Sequence, residues 1–235
     1  MIKSKNIVYG VFASLFFSLG AHASGLSLTA EPYLGYTMGS MSQTTVESNQ
    51  TKTTTDLGSL KGLGFGARAL VEFQGLFFVG PDFSYSKLGY AASDQFITNI
   101  PGLSKVVDNG TSRTTLGVVA GVELPILPLR FWVGYNFLDQ LNSDCDVVLS
   151  QAASQATGLN SVNQKYDYSG TSFKVGAGYK ILPFLSANLE YIRSSYSSYT
   201  DVNNNNKVTE LTNGASYSTS TWMLSVSAPL SALSF

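Results

Sequence analysis

The sequence predicts an all-β fold: an eight-stranded antiparallel up-and-down transmembrane β-barrel with long loops on one side and short turns on the other. Three observations carry this. Eight segments alternate apolar and polar residues with the two-residue period of a strand. Their connections alternate long and short, which in an up-and-down sheet puts four long loops on one side and three short turns on the other. The polar faces consist of glycine, serine and ions of both signs, a composition that suits a narrow interior better than a water-facing surface.

The chain opens with Lys3 and Lys5, an apolar run from Ile7 to Leu19, and Ala21-His22-Ala23, the small-x-small form of a secretory cleavage site. Residues 1–23 are therefore expected to be a signal peptide cut between Ala23 and Ser24, and residues 24–235 the barrel domain. The run is short for a membrane helix, which needs roughly 20 residues, and no later segment is apolar enough for one. Without Lys3 and Lys5 the chain holds 12 basic residues against 15 acids, a net charge of about −3. That balance offers no basic patch for nucleic acid. Cys145 is the only cysteine and His22 the only histidine, so no intrachain disulfide forms and no histidine follows the cleavage site.

The first strand sets Leu26, Leu28, Ala30, Pro32, Leu34, Tyr36 and Met38 against Ser27, Thr29, Glu31, Tyr33, Gly35, Thr37 and Gly39. Ser40 to Leu60 reads as a polar loop. The second strand has Leu63, Phe65, Ala67, Ala69, Val71 and Phe73 on one face and Gly62, Gly64, Gly66, Arg68 and Glu72 on the other, ending at the turn Gln74-Gly75-Leu76. In the third, Phe77, Val79, Pro81, Phe83 and Tyr85 oppose Phe78, Gly80, Asp82, Ser84 and Ser86. Pro81 cannot donate to a ladder, so local distortion is expected there. After a loop from Lys87 to Ser112, the fourth strand carries Leu116 to Leu124. Pro125 to Pro128 turns the chain into a fifth from Leu129 to Phe137.

Leu138 to Ser169 is the longest expected loop and holds Cys145; a further hairpin inside it would give ten strands. The sixth and seventh strands form a hairpin, with Phe173, Val175, Ala177, Tyr179, Ile181, Leu185, Ala187, Leu189 and Tyr191 on one face. Lys174, Lys180 and Glu190 lie on the other. A turn centred on Leu182 places Lys174 across from Glu190. A polar loop from Ser194 to Ala215 leads to the eighth strand, where Trp222, Leu224, Val226 and Ala228 alternate with small polar residues.

Each hairpin thus sets an acid against a base on its polar face: Arg68 with Asp82, Glu123 with Arg130, Lys174 with Glu190. Glycine packs nothing on a solvent-facing strand, but inside a small barrel it makes room for Arg130, Trp132, Tyr33 or Arg68. The apolar faces are therefore expected to meet lipid. Tyr36, Tyr85, Tyr135, Phe137 and Tyr191 would form one aromatic belt and Phe73, Phe77 and Tyr179 the other.

On its signal peptide, hairpin pattern and terminal Phe235, the chain resembles the small outer-membrane β-barrel family that includes the membrane domain of outer-membrane protein A. The resemblance covers Leu26 to Phe235. It implies an integral protein of a Gram-negative outer membrane with extracellular loops, surrounded by lipid and lipopolysaccharide and delivered by periplasmic chaperones. It also implies that Phe235 is the signal read by the assembly machinery. Phe235 and Leu233 are out of phase with Trp222 to Ala228, so a bulge is expected near Pro229.

A lumen charge network is expected from Glu31, Arg68, Glu72, Asp82, Glu123, Arg130, Lys174, Lys180 and Glu190, with Glu31 and Glu72 lacking assigned partners. No cofactor and no enzymatic activity are expected, because a serine nucleophile would lack a histidine base. Gly62 to Ala67 matches a dinucleotide fingerprint only by letters, since it continues as a strand. Asp201, Asn203 and Asn205 open like a calcium loop but lack its glycine and closing glutamate; Asp144-Cys145-Asp146 is weak as a soft-metal site. The expected function is structural or surface-interaction, adhesion-like, with a plugged lumen and a ligand met through the loops. The alternative is a narrow porin-like channel; a soluble ligand-binding barrel is a third reading.

Overall fold

The structure, a computed structural model, describes residues 25–46, 51–124, 126–212 and 214–234, with side chains as far as Leu230. Ala21, Ala23 and Ser24 at the expected cleavage site, and Phe235, lie outside the described residues. The strands are β1 (Leu26–Val46), β2 (Lys52–Phe73), β3 (Phe77–Ala92), β4 (Leu103–Glu123), β5 (Leu129–Leu149), β6 (Ser161–Leu182), β7 (Leu185–Asp201), β8 (Lys207–Glu210), β9 (Ser216–Ser227) and β10 (Leu230–Ser234). Sequence neighbours from β1 to β7 pair antiparallel, β7 pairs with β9, and β9 returns to β1. The ring is closed. It has eight staves, because β8 only decorates β7 within the last long connection and β10 continues β9 along β1.

Exposure identifies the outer face. Leu63 and Leu224 are 63 % and 60 % exposed, whereas Lys174 and Glu190 are 1 % and 0 %. With Phe65, Phe131, Phe173 and Trp222 also outward, the apolar residues of every stave cover the outside of the cylinder. Tyr36, Tyr135 and Phe137 are exposed toward the long-loop end, and Phe73, Phe77 and Tyr179 toward the short-turn end. Inside, glycines yield volume to rings: a Cβ on Gly66 would lie 2.3 Å from Tyr33 Cζ, and one on Gly176 would lie 2.2 Å from Trp132 Cε2.

The staves are much longer than the alternation suggested. Most of the expected loops Ser40–Leu60, Lys87–Ser112, Leu138–Ser169 and Ser194–Ala215 is paired strand. Two short helices sit in the connections: α1 (Asp94–Asn99), capped by the Ser93 hydroxyl, and α2 (Gln151–Thr157), capped by Ser150 and closed by left-handed Gly158. The longest staves have 22 residues, against the roughly 9–11 that cross a bilayer. Cys145 therefore stands on β5, paired with Gln164, and not in a loop; the segment holding it contributes no further staves.

Irregularities fall at specific residues. Gln74 and Gly75 take left-handed φ of 52° and 66°, the tight hairpin turn between β2 and β3. Pairing of β2 with β3 lapses at Pro81 but keeps its register, Arg68 facing Asp82 and Val71 facing Val79. A bulge at Leu57 turns that side chain inward, 6 % exposed. At the closing seam, β1 keeps one register across Pro229, Tyr33 facing Ser227 and Ala30 facing Leu230. The shift comes between Ser231 and Leu233, which leaves Ala232 as the extra residue. The bulge expected near Pro229 thus lies three residues further on.

Candidate functional site

Six charged side chains from six staves meet inside the ring: Glu31 (β1), Arg68 (β2), Asp82 (β3), Arg130 (β5), Lys174 (β6) and Glu190 (β7). Each is at most 3 % exposed. Arg130 takes Glu31 in a two-pronged contact, Nη1 to Oε2 at 2.7 Å and Nη2 to Oε1, the fork geometry of a strong charge-assisted pair. Arg68 donates to Glu190 and stands 3.6 Å from both Glu31 and Asp82; Lys174 donates to Asp82 and lies 3.9 Å from Glu190. Three acids and three bases make the cluster neutral. Burial on this scale is tolerable only because every charge has an opposite neighbour.

Aromatic rings complete the layer. Tyr33 donates its hydroxyl to Asp82 at 2.9 Å, and the Arg68 guanidinium lies 4.7 Å from the ring centres of both Tyr33 and Trp132. Leu70, Phe78, Val119 and Trp132, from β2, β3, β4 and β5, pack as an apolar cluster beside it.

The remaining expected members stand apart. Glu123 and Lys180 pair with each other at the short-turn rim, about a quarter and a third exposed, and Glu72 accepts from Ser27 at 3.1 Å. Two expected pairings change. Glu123 and Arg130 face each other in register, but Arg130 reaches across the lumen to Glu31. Lys174 faces Ile192, and Glu190 faces Gly176: the turn is made by Pro183 and Phe184, which slides the hairpin two residues from the Leu182-centred register.

A second buried pair, absent from the sequence reading, lies nearer the long-loop end. Arg113 donates to Asp139 through Nε at 3.0 Å and Nη2 at 2.6 Å, and to Ser194 and Thr221; the Tyr196 hydroxyl donates to Asp139 at 3.2 Å. Arg113 keeps the phase of Thr115, Gly117 and Val119 and could have been found by extending that alternation. Asp139 could not. A bulge at Phe137 separates inward Asn136 from inward Asp139 and reverses the parity.

Other candidates resolve on strand geometry. Gly62 to Ala67 lies within β2. Asp201 accepts from the Asn204 amide at 3.2 Å, while Asn203 donates to the Asn163 carbonyl at 2.7 Å. Asp144 and Asp146 share Asn163, and Asp144 also pairs with Lys165 at 2.8 Å, while the buried Cys145 between them points to the opposite face, as adjacent strand residues must. Among the described residues no group of three or more histidine, cysteine, aspartate or glutamate side chains is placed to hold a metal.

A closed ring of eight staves, apolar outside and ionic inside, is a membrane-spanning architecture, since closure leaves no unpaired edge in lipid. The family described as "Outer membrane protein beta-barrel domain" matches residues 10–228. The chain belongs to that family. Its place is the outer membrane of a Gram-negative bacterium, and the outward Leu, Phe and Trp residues of this outer-membrane barrel are its lipid-facing surface. Among solved structures it is similar to Ail, the attachment invasion locus protein of Yersinia pestis, at 9 % identity and TM-score 0.48, covering 88 % of this chain and all of that one. It is also similar to OprG from Pseudomonas aeruginosa, at 12 % identity and TM-score 0.46, covering 90 % of this chain and 99 % of that one. Neisserial surface protein A gives 12 % identity and TM-score 0.41, covering 88 % and 99 %. At such identity the likeness is one of fold. No curated protein sequence matches the chain.

Proposed function

We propose that this outer-membrane barrel is a non-enzymatic structural or surface-interaction protein, adhesion-like, whose lumen is plugged and whose long staves project from the cell. The neutral six-charge cluster carries the reading, because it ties six staves across the lumen. The Arg113–Asp139 pair supports it from above. The projecting end offers exposed Thr45, Thr53 and Thr54 to an extracellular ligand. Outward Lys61, Lys87 and Arg193, exposed just beyond the apolar belt, suit lipopolysaccharide phosphates. A catalytic role is not part of the proposal, since the only histidine is His22.

The second reading, a narrow channel for ions or small solutes, draws on buried lumenal atoms without a hydrogen-bond partner, among them Arg130 Nε, Trp132 Nε1 and Glu190 Oε2, which would take water if the packed layer opened. Planar-bilayer recording separates the two. The plug predicts no steady open steps in the unmodified protein; steady steps that change in Lys174→Ala or Arg130→Ala would overturn it in favour of the channel.

A further inference from the structure

Beyond the ionic layer, toward the long-loop end, the ring encloses a cavity of about 280 Å³. Its walls are tyrosine rings at 90, 166, 168, 199 and 217, with Phe96 of α1 and aliphatic side chains including Leu57 and Val106; no charged side chain lines it. Tyr168 and Tyr217 meet edge-on with ring centres 4.9 Å apart, and Tyr166 and Tyr199 at 5.7 Å and 82°. Such crossed rings leave faces and edges available to a further planar ring. Further down the same strands Leu60, Leu88, Leu141 and Tyr196, none above 3 % exposed, close the floor over the ionic layer.

Polar groups in the wall are of two kinds. Tyr90 donates to the Leu57 carbonyl at 2.7 Å, and Tyr217 accepts from Gln43 at 3.1 Å. The hydroxyl of Tyr168, only 8 % exposed, and the half-buried Gln164 amide have no hydrogen-bond partner among the described residues. The Tyr168 oxygen is not sealed from solvent, so it is open to a hydrogen-bonding molecule in the cavity. Burial also holds the Tyr168 phenol above its ordinary pKa, so it remains a neutral donor.

We infer that this cavity is a binding site for a small uncharged aromatic molecule of one or two fused rings bearing a hydroxyl or other hydrogen-bonding group. The rings of the wall take its faces, and Tyr168 and Gln164 take its polar substituent. A cavity of about 150 Å³ holds benzene, so this one accommodates two fused rings. Charged analogues are excluded because nothing in the wall offsets their desolvation. The closed floor makes the site a terminus and not a passage.

The test uses the protein in lipid nanodiscs, with empty nanodiscs as reference and 2-naphthol as probe. The site predicts saturable one-to-one binding by equilibrium dialysis, with 2-naphthoate and cyclohexanol at least roughly tenfold weaker. Cys145 lines the same cavity, so bound 2-naphthol should also slow its alkylation by N-ethylmaleimide. Tyr168→Phe should weaken 2-naphthol about fivefold to tenfold and leave naphthalene unchanged. Leu57→Trp, which fills the cavity, should abolish binding; Val106→Phe serves from another strand if that variant fails the heat-modifiability check of folding. Binding no greater than to empty nanodiscs, an unprotected Cys145, or full binding in a folded cavity-filled variant overturns the site.

Discussion

At the scale of single residues, the lumen separates charges that hold the protein together from charges that decorate it. Arg68 neighbours three acids and is 3 % exposed. Arg68→Ala leaves the cluster with uncompensated negative charge and should cost about 3–5 kcal/mol, read as a lower urea midpoint in detergent micelles. Lys180→Ala removes a rim pair that water already screens, and should cost less than about 1 kcal/mol. Equal effects would show that the burial difference is not what matters. Cys145 supplies a pH prediction. Burial pushes its thiol up, because the thiolate is the form that apolar surroundings disfavour. Its alkylation at pH 8 should be slower than that of an exposed thiol and should keep rising with pH after the exposed thiol has levelled off. A rate profile matching free cysteine refutes this.

At the scale of strands, facing side chains are fitted as pairs, large against none. Gly176→Ala drives a methyl group into the Trp132 indole and should destabilise by about 1–3 kcal/mol, as overpacking does. Trp132→Leu in the same protein should recover part of that loss in the urea midpoint; strict additivity would mean the two do not compete for space. Most of this pairing was legible in the sequence, because alternation is local and the outward Leu63 and Phe65 fix the phase of Arg68. Partner choice across the lumen was not. Arg130 and Glu31 are separated by 99 residues, and their meeting depends on stave tilt and stagger, which no hairpin reveals. Register failed where the turn was misplaced, at Pro183–Phe184, and parity failed at the Phe137 bulge that hid Asp139.

At the scale of the whole molecule, the barrel is taller than its membrane. A stave of 22 residues at about 3.3 Å per residue runs roughly 70 Å, and tilted by some 40° it stands about 50 Å tall. That is about twice an apolar band of about 25 Å. The fold class could be read from the lipid-facing half, where one face must be apolar. Beyond it both faces meet water or tyrosine, so Thr44 to Val46 and Lys52 to Asp56 lose the two-residue rhythm although they remain paired. Deuterium exchange should show the extension: amides in the paired segments 141–147 and 164–168 should be protected for far longer than those of α1. Exchange of all of them within seconds would mean the projecting half is not a sheet.

Where the cylinder closes, β10 gives β1 four register pairs, against twelve from β9, and the two sets are separated by Ala228 and by Pro229, which has no amide hydrogen to give. One bond, from the Ala228 amide to the Pro32 carbonyl at 3.0 Å, spans the gap. A hoop with a thin weld parts at the weld. An opening of the cylinder should therefore begin with the four β10 pairs before it reaches the twelve of β9.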